Sequence, residues 1–178
     1  MRVLIAFCFF MFLYAKDYKD MSLVELFKNK YYTYICMHRW VYIDKYQKSE
    51  DLLSLVAYSC LKKHYLTPAL DLSKTLRFTK EGRINGIYIN TLYLMKLLLI
   101  SYINNEKELL KVKLPKIPNE TLAEVFYLVK KQKPPVSGDS FEVKDANTTY
   151  EVKYSAKENT LTIDLYENGK KLKKEKYW

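Results

Sequence analysis

The sequence predicts an α+β fold, a bundle of about five helices followed by a small four-stranded antiparallel β-meander. Three observations carry that expectation. Apolar residues recur at every third or fourth position from Ser22 to Gln132, punctuated by helix-capping residues. A stretch rich in lysine and proline, KKQKPPVSG at 130–138, closes that region. Beyond Gly138 apolar and polar residues alternate, and Asn168-Gly169 supplies a hairpin turn. The chain thus divides into a leader (1–15), a helical domain (16–132), a linker (133–138) and a β-meander (139–178).

The leader sets the compartment. In MRVLIAFCFFMFLYAKDYKD, Arg2 precedes an apolar run from Val3 to Tyr14, and Ala15 stands just before a charged segment. That is the layout of a secretory signal peptide cleaved after Ala15. The run is shorter than the roughly 20 residues a helix needs to cross a bilayer, so no membrane span is expected after cleavage. The expected location is the periplasm. There a net charge of +10 points away from nucleic acid and towards murein, anionic lipid or an acidic envelope protein.

In the helical region, Ser22-Leu-Val-Glu25 is a capping box: the serine hydroxyl accepts from the Glu25 amide while the glutamate reaches back. Leu23, Phe27, Tyr31, Tyr34, Ile35, Tyr42 and Tyr46 continue the helical period, with a break allowed near Asn29. QKSED (47–51) is a turn, with Ser49 capping a second helix that runs to about His64. Thr67-Pro68 signals the start of a short third helix, and Thr79 caps a long fourth one that reaches about Asn104. Leu92 to Ile103 is apolar on nearly every side, which suits a buried helix, and Lys96 in its middle argues against a membrane span. A fifth helix, capped by Asn119, turns Leu122, Val125, Phe126 and Val129 inward.

In the sheet region, Phe141, Val143, Tyr150, Val152, Tyr154, Leu161, Ile163 and Leu165 fall on one face. Regular pairing across Asn168-Gly169 would set Leu165 opposite Leu172 and Asp164 opposite Lys173. One apolar face of this size needs a cover, and the fifth helix is the nearest candidate.

HYLTPALDLSKTL (64–76) resembles the second helix of a tetratricopeptide (TPR) repeat, in which an aromatic residue precedes an Ala-Leu pair. The likeness covers about a dozen residues, carries one residue too many between Tyr65 and Ala69, and lacks the Trp-Leu-Gly pattern of the first helix. It implies a TPR-like helical-hairpin architecture for the helical region.

The chain holds no glycine-rich phosphate loop, HExxH, CxxC, CxxCH or GxSxG, so no cofactor or metal is expected. Cys36 and Cys60 lie equally far on either side of Lys48, the pivot of an antiparallel helical hairpin, and so at the same height. In an oxidising compartment that spacing predicts a Cys36–Cys60 disulfide. His64, four residues past Cys60, could join the two cysteines on a metal, but a fourth ligand is missing. DANTT (145–149) resembles the acceptor sequon of bacterial oligosaccharyltransferases, which makes Asn147 a candidate N-glycosylation site.

Two functions are consistent with these features. One is an exported, non-enzymatic adaptor or scaffold that binds another envelope protein through a helical groove or the sheet. The other is a cell-wall-associated enzyme or murein-binding protein with a site built from distant carboxylates. An aromatic groove or an unpaired sheet edge would mark the first, and a cleft lined by two close acids the second.

Overall fold

The computed structural model describes residues 18–178, so the expected signal peptide and its cleavage point lie outside the described residues. The fold is α+β as expected: among the described residues seven α-helices precede a five-stranded antiparallel sheet, one strand more than the expected four.

The first helical stretch is broken into three, α1 (Leu23–Lys28), α2 (Tyr32–Met37) and α3 (Arg39–Lys45). The Ser22–Glu25 capping box forms as expected, with the Glu25 amide 3.2 Å from the Ser22 hydroxyl and the Ser22 amide 2.8 Å from the Glu25 carboxylate. Lys30, at φ 61°, turns the chain between α1 and α2, and His38 interrupts the ladder between α2 and α3. Helix α4 (Glu50–Leu61) follows, with Ser49 at its cap position but no side-chain cap bond.

Helix α5 (Leu66–Ser73) begins one residue before the Thr67-Pro68 signal. The N–H groups of Leu66 and Thr67 donate to the backbone oxygen of Trp178 at 3.1 and 3.2 Å. Pro68 then falls in the first turn, where its missing N–H removes no helical bond. Helix α6 (Lys80–Ile103) is capped by Thr79, whose hydroxyl accepts from the Gly82 amide at 2.9 Å. Helix α7 (Thr121–Gln132) takes Glu120 rather than Asn119 at its cap position, because Asn119 has gone left-handed at φ 60°.

Strands β1 (Val136–Ser137), β2 (Ser140–Asp145), β3 (Thr148–Ser155), β4 (Thr160–Glu167) and β5 (Lys170–Tyr177) lie in sequence order. The fifth strand is β1, inside the stretch read as a linker. Lys133 ends α7 in the left-handed region, and Gly138, at φ 60°, folds Val136 and Ser137 back on Phe141 and Ser140. The register of β4 with β5 also departs from regular pairing. Leu165 faces Lys173 and Asp164 faces Lys174, because a bulge leaves Leu172 unpaired and exposed. That slip turns Lys173, Glu175 and Tyr177 to the face shared by Leu161, Ile163 and Leu165.

Two cores result. The first gathers Leu26, Ile35, Leu53, Val56, Leu72 and Ile89 around the Cys36–Cys60 disulfide, which joins α2 to α4. In the second, Met95, Leu99 and Tyr102 of α6 and Leu122, Phe126 and Val129 of α7 pack on Phe141, Val152 and Ile163 of the sheet. Helix α7 thus covers the sheet as expected. The division between the two cores runs through α6 rather than at residues 133–138, so the sheet shares its core with the helices.

Candidate functional site: an apolar groove between α4 and α6

Helices α4 and α6 leave a groove of about 550 Å³ between them, lined by Phe27 of α1, by Leu55, Tyr58 and Leu61 of α4, and by Tyr88 and Ile89 of α6. The aromatic rings of Phe27 and Tyr58 meet at 5.9 Å. Polar groups lie along the rim. The Asn85 amide donates to the Ser54 hydroxyl at 3.0 Å, and the Tyr88 hydroxyl donates to Glu120 at 2.7 Å. Burial, with Glu120 alongside, pushes the Tyr88 pKa far above its ordinary value, so the hydroxyl stays a donor. Lys62 lies 4.8 Å over the Tyr58 ring, and hydrogen bonding with Tyr58 raises its pKa. The volume and the apolar lining with few polar groups are those of a ligand or side-chain binding site.

At the junction of helices and sheet sits a second cluster. Glu175, 4 % exposed, accepts from the Tyr177 hydroxyl at 2.5 Å and pairs with Lys173. His64 Nε2 lies 3.7 Å from it, and the His64 ring meets Tyr177 edge-on at 4.7 Å. Burial opposes the Glu175 charge, yet the bonds from Lys173 and Tyr177 outweigh it and hold its pKa below the ordinary value. Burial also lowers the His64 pKa, against the pull of Glu175. The backbone closes the same joint, with Trp178 N–H donating to the His64 oxygen at 3.0 Å.

The residues singled out in the sequence are placed as follows. Cys36 and Cys60 are bonded to each other and fully buried. His64 turns away to Glu175, and no cluster of three or more metal-binding side chains occurs among the described residues. Asn147 is exposed in the two-residue turn between β2 and β3, and its backbone oxygen accepts from Asn168 at 3.1 Å. A shallow cleft over the start of α7 has Glu120 and Glu124 in its lining. The Tyr88 hydroxyl donates to Glu120 and ties that acid into the fold, and burial together with the neighbouring Glu124 raises the Tyr150 pKa. Sequence reasoning missed the groove and Glu175. Tyr58 and Tyr88 stand on separate helices 30 positions apart, and nothing in the local pattern joins them.

Set against protein-family models, curated proteins and solved structures, the chain matches none. The groove's own chemistry is therefore what a functional reading has to rest on.

Proposed function

We propose that the protein is an exported, periplasmic adaptor without catalytic activity that holds another envelope protein in the groove between α4 and α6. The observation that carries this reading is the groove itself: an open apolar trough with Phe27, Tyr58 and Tyr88 in its walls, on a face that no other element among the described residues fills. Aromatic residues around a trough are the usual anchors of protein recognition. The disulfide supports an oxidising compartment, as does the leader read from the sequence. Lys62, over the Tyr58 ring and in none of the ion pairs among the described residues, supports a partner with acid beside its apolar anchor.

The test is photo-cross-linking in cells exporting the protein, with a photoreactive phenylalanine at Tyr58 or, as control, at Lys170 of the far hairpin. The expected result is a discrete product from Tyr58 alone. Ser54→Arg puts a charge on the groove wall and should cut its yield at least about tenfold while the thermal melt is unchanged. An undiminished product from Ser54→Arg would move the recognition surface elsewhere.

A further inference from the structure

Helix α6 presents a second surface, on the side away from the groove. Arg83, Ile87, Asn90, Leu94, Leu97 and Ser101 follow one another at alternating steps of four and three, the spacing of a helix-pairing seam. Ile87 is 57 % exposed, Leu94 37 % and Leu97 40 %. Asn85, Tyr88 and Ile89, which face the groove, lie on the opposite side of the helix. Beside the seam runs a trough of about 520 Å³ lined by Leu76, Arg77, Ile87, Leu94 and Pro115.

The start of the seam is basic, its finish carries the exposed Glu106 among mixed charges, and both ends have an apolar tip. At its start Arg83 donates to the Phe78 oxygen at 2.7 Å, and the Arg77 guanidinium lies 4.9 Å over the Phe78 ring. Phe78 is 71 % exposed. At its finish the Glu106 amide donates to the Ser101 oxygen at 2.8 Å and leads into the turn Lys107–Lys111, where Leu109 is exposed. Glu106 is itself exposed and forms no ion pair among the described residues.

We propose that this face binds a second copy of the chain, α6 against α6, antiparallel about a two-fold axis that crosses the seam at the height of Leu92, between Asn90 and Leu94. The surface is complementary to itself in that arrangement and in no parallel one. Ile87 meets the second copy's Leu97. Arg83, whose guanidinium reaches back to the Phe78 oxygen, meets its Glu106, and Phe78 lies beside its Leu109. An isologous contact makes each of these pairings twice. The antiparallel direction also sets the positive end of each helix beside the negative end of the other. Asn90, whose amide donates to the Gly86 oxygen at 2.7 Å and to the Ser73 hydroxyl at 3.0 Å within its own chain, lies near the centre of the seam, opposite the second copy's Leu94. The dimer leaves both α4–α6 grooves facing outward, so the assembly is bivalent whatever those grooves bind.

Sedimentation velocity of the full oxidised chain tests this between roughly 1 and 200 μM, with the average mass expected to rise from one chain towards two. Leu94→Glu should raise the dissociation constant at least about 30-fold with an unchanged melt. Arg83→Glu and Glu106→Arg should each weaken the dimer about fivefold, and the two together in one chain should restore it. Three results would overturn the proposal: a chain that stays monomeric across the range, a dimer indifferent to Leu94→Glu, or a double variant no better than the weaker single one. Cross-linking at Tyr58 reports on the groove separately and does not depend on the outcome here.

Discussion

Glu50 holds the turn into α6 in place with one side chain. Its carboxylate, 7 % exposed, accepts from the amides of Arg77 and Phe78 at 2.6 Å and of Thr79 at 2.7 Å, and from the Thr79 hydroxyl. The Phe78 amide bond and the Thr79 hydroxyl bond lower its pKa to about 2. A carboxyl group with a depressed folded pKa contributes stability that is present above its unfolded value and lost as pH falls through the folded one. Acid unfolding between about pH 5 and 2 should therefore be steeper in the wild type than in Glu50→Gln, as urea midpoints across that range would show. The neighbouring Gly82 leaves room for this carboxylate, because a Cβ there would stand 2.1 Å from Glu50 Oε2. Gly82→Ala, which in an ordinary helix gains up to about 1 kcal/mol, should here cost about 2 kcal/mol. Lys96 is the opposite case, a buried cation that donates, among the described residues, to one backbone acceptor, the Asn159 oxygen, at 3.1 Å. Burial lowers its pKa, so its charge weakens the fold at neutral pH, and that penalty eases as pH rises towards 10.5. Lys96→Met should raise stability at pH 7 by about 1 kcal/mol and flatten the rise between neutral and alkaline pH. A lower melting point for that variant would show that the bond to Asn159 outweighs the cost of burial.

The elements that could be read from the sequence are those whose signals are local. The Ser22–Glu25 box, the Thr79 cap and the Asn168-Gly169 turn each need only a few neighbouring residues, and each forms. Leu122, Val125, Phe126 and Val129 are buried as the period of α7 requires. What escaped is set by tertiary contact. The Leu172 bulge exists because Glu175 and Tyr177, not Leu172, have partners under the sheet. Strand β1 is two residues long, too short for alternation to register, and the Tyr102 hydroxyl fixes the approach to it through the Pro134 oxygen at 2.5 Å. The groove escaped for the same reason, since its walls come from three helices. The disulfide was legible because hairpin symmetry about Lys48 is a matter of counting. It spans 24 positions between α2 and α4. Opening it should cost about 3.5 kcal/mol in the chain-entropy model. The oxidised wild type compared with Cys36→Ser/Cys60→Ser in urea would measure this, and peptide mapping without reductant should recover the two cysteine peptides joined.

The whole molecule is built around α6, which serves two cores at once. Its first half, through Ile89, closes the disulfide-bearing helical core, and its second half, from Leu92 onward, is buried against α7 and the sheet. By length and composition α6 could cross a bilayer, but 61 % of its most apolar window is buried inside the protein. The linker at 133–138 is therefore no line of independence, and removing the sheet should not leave a well-behaved helical domain. Truncation after Gly138 takes away Phe141, Val143, Tyr150, Val152, Leu161, Ile163 and Tyr177, which cover the second core. It also removes the Trp178 oxygen that receives the first two amides of α5 and the Glu175 carboxylate beside His64. Exposed apolar side chains at about 1.5–3 kcal/mol each exceed what a small domain can lose. The truncated chain should keep its disulfide and protected amides in α4, and in α6 up to about Ile89. It should lose protection from Leu92 onward, bind a hydrophobic dye and aggregate. Hydrogen exchange read by mass spectrometry separates these halves of one helix. Uniform protection along α6 in a monomeric truncated chain would show that the helices carry their own complete core and that the sheet is an appendage.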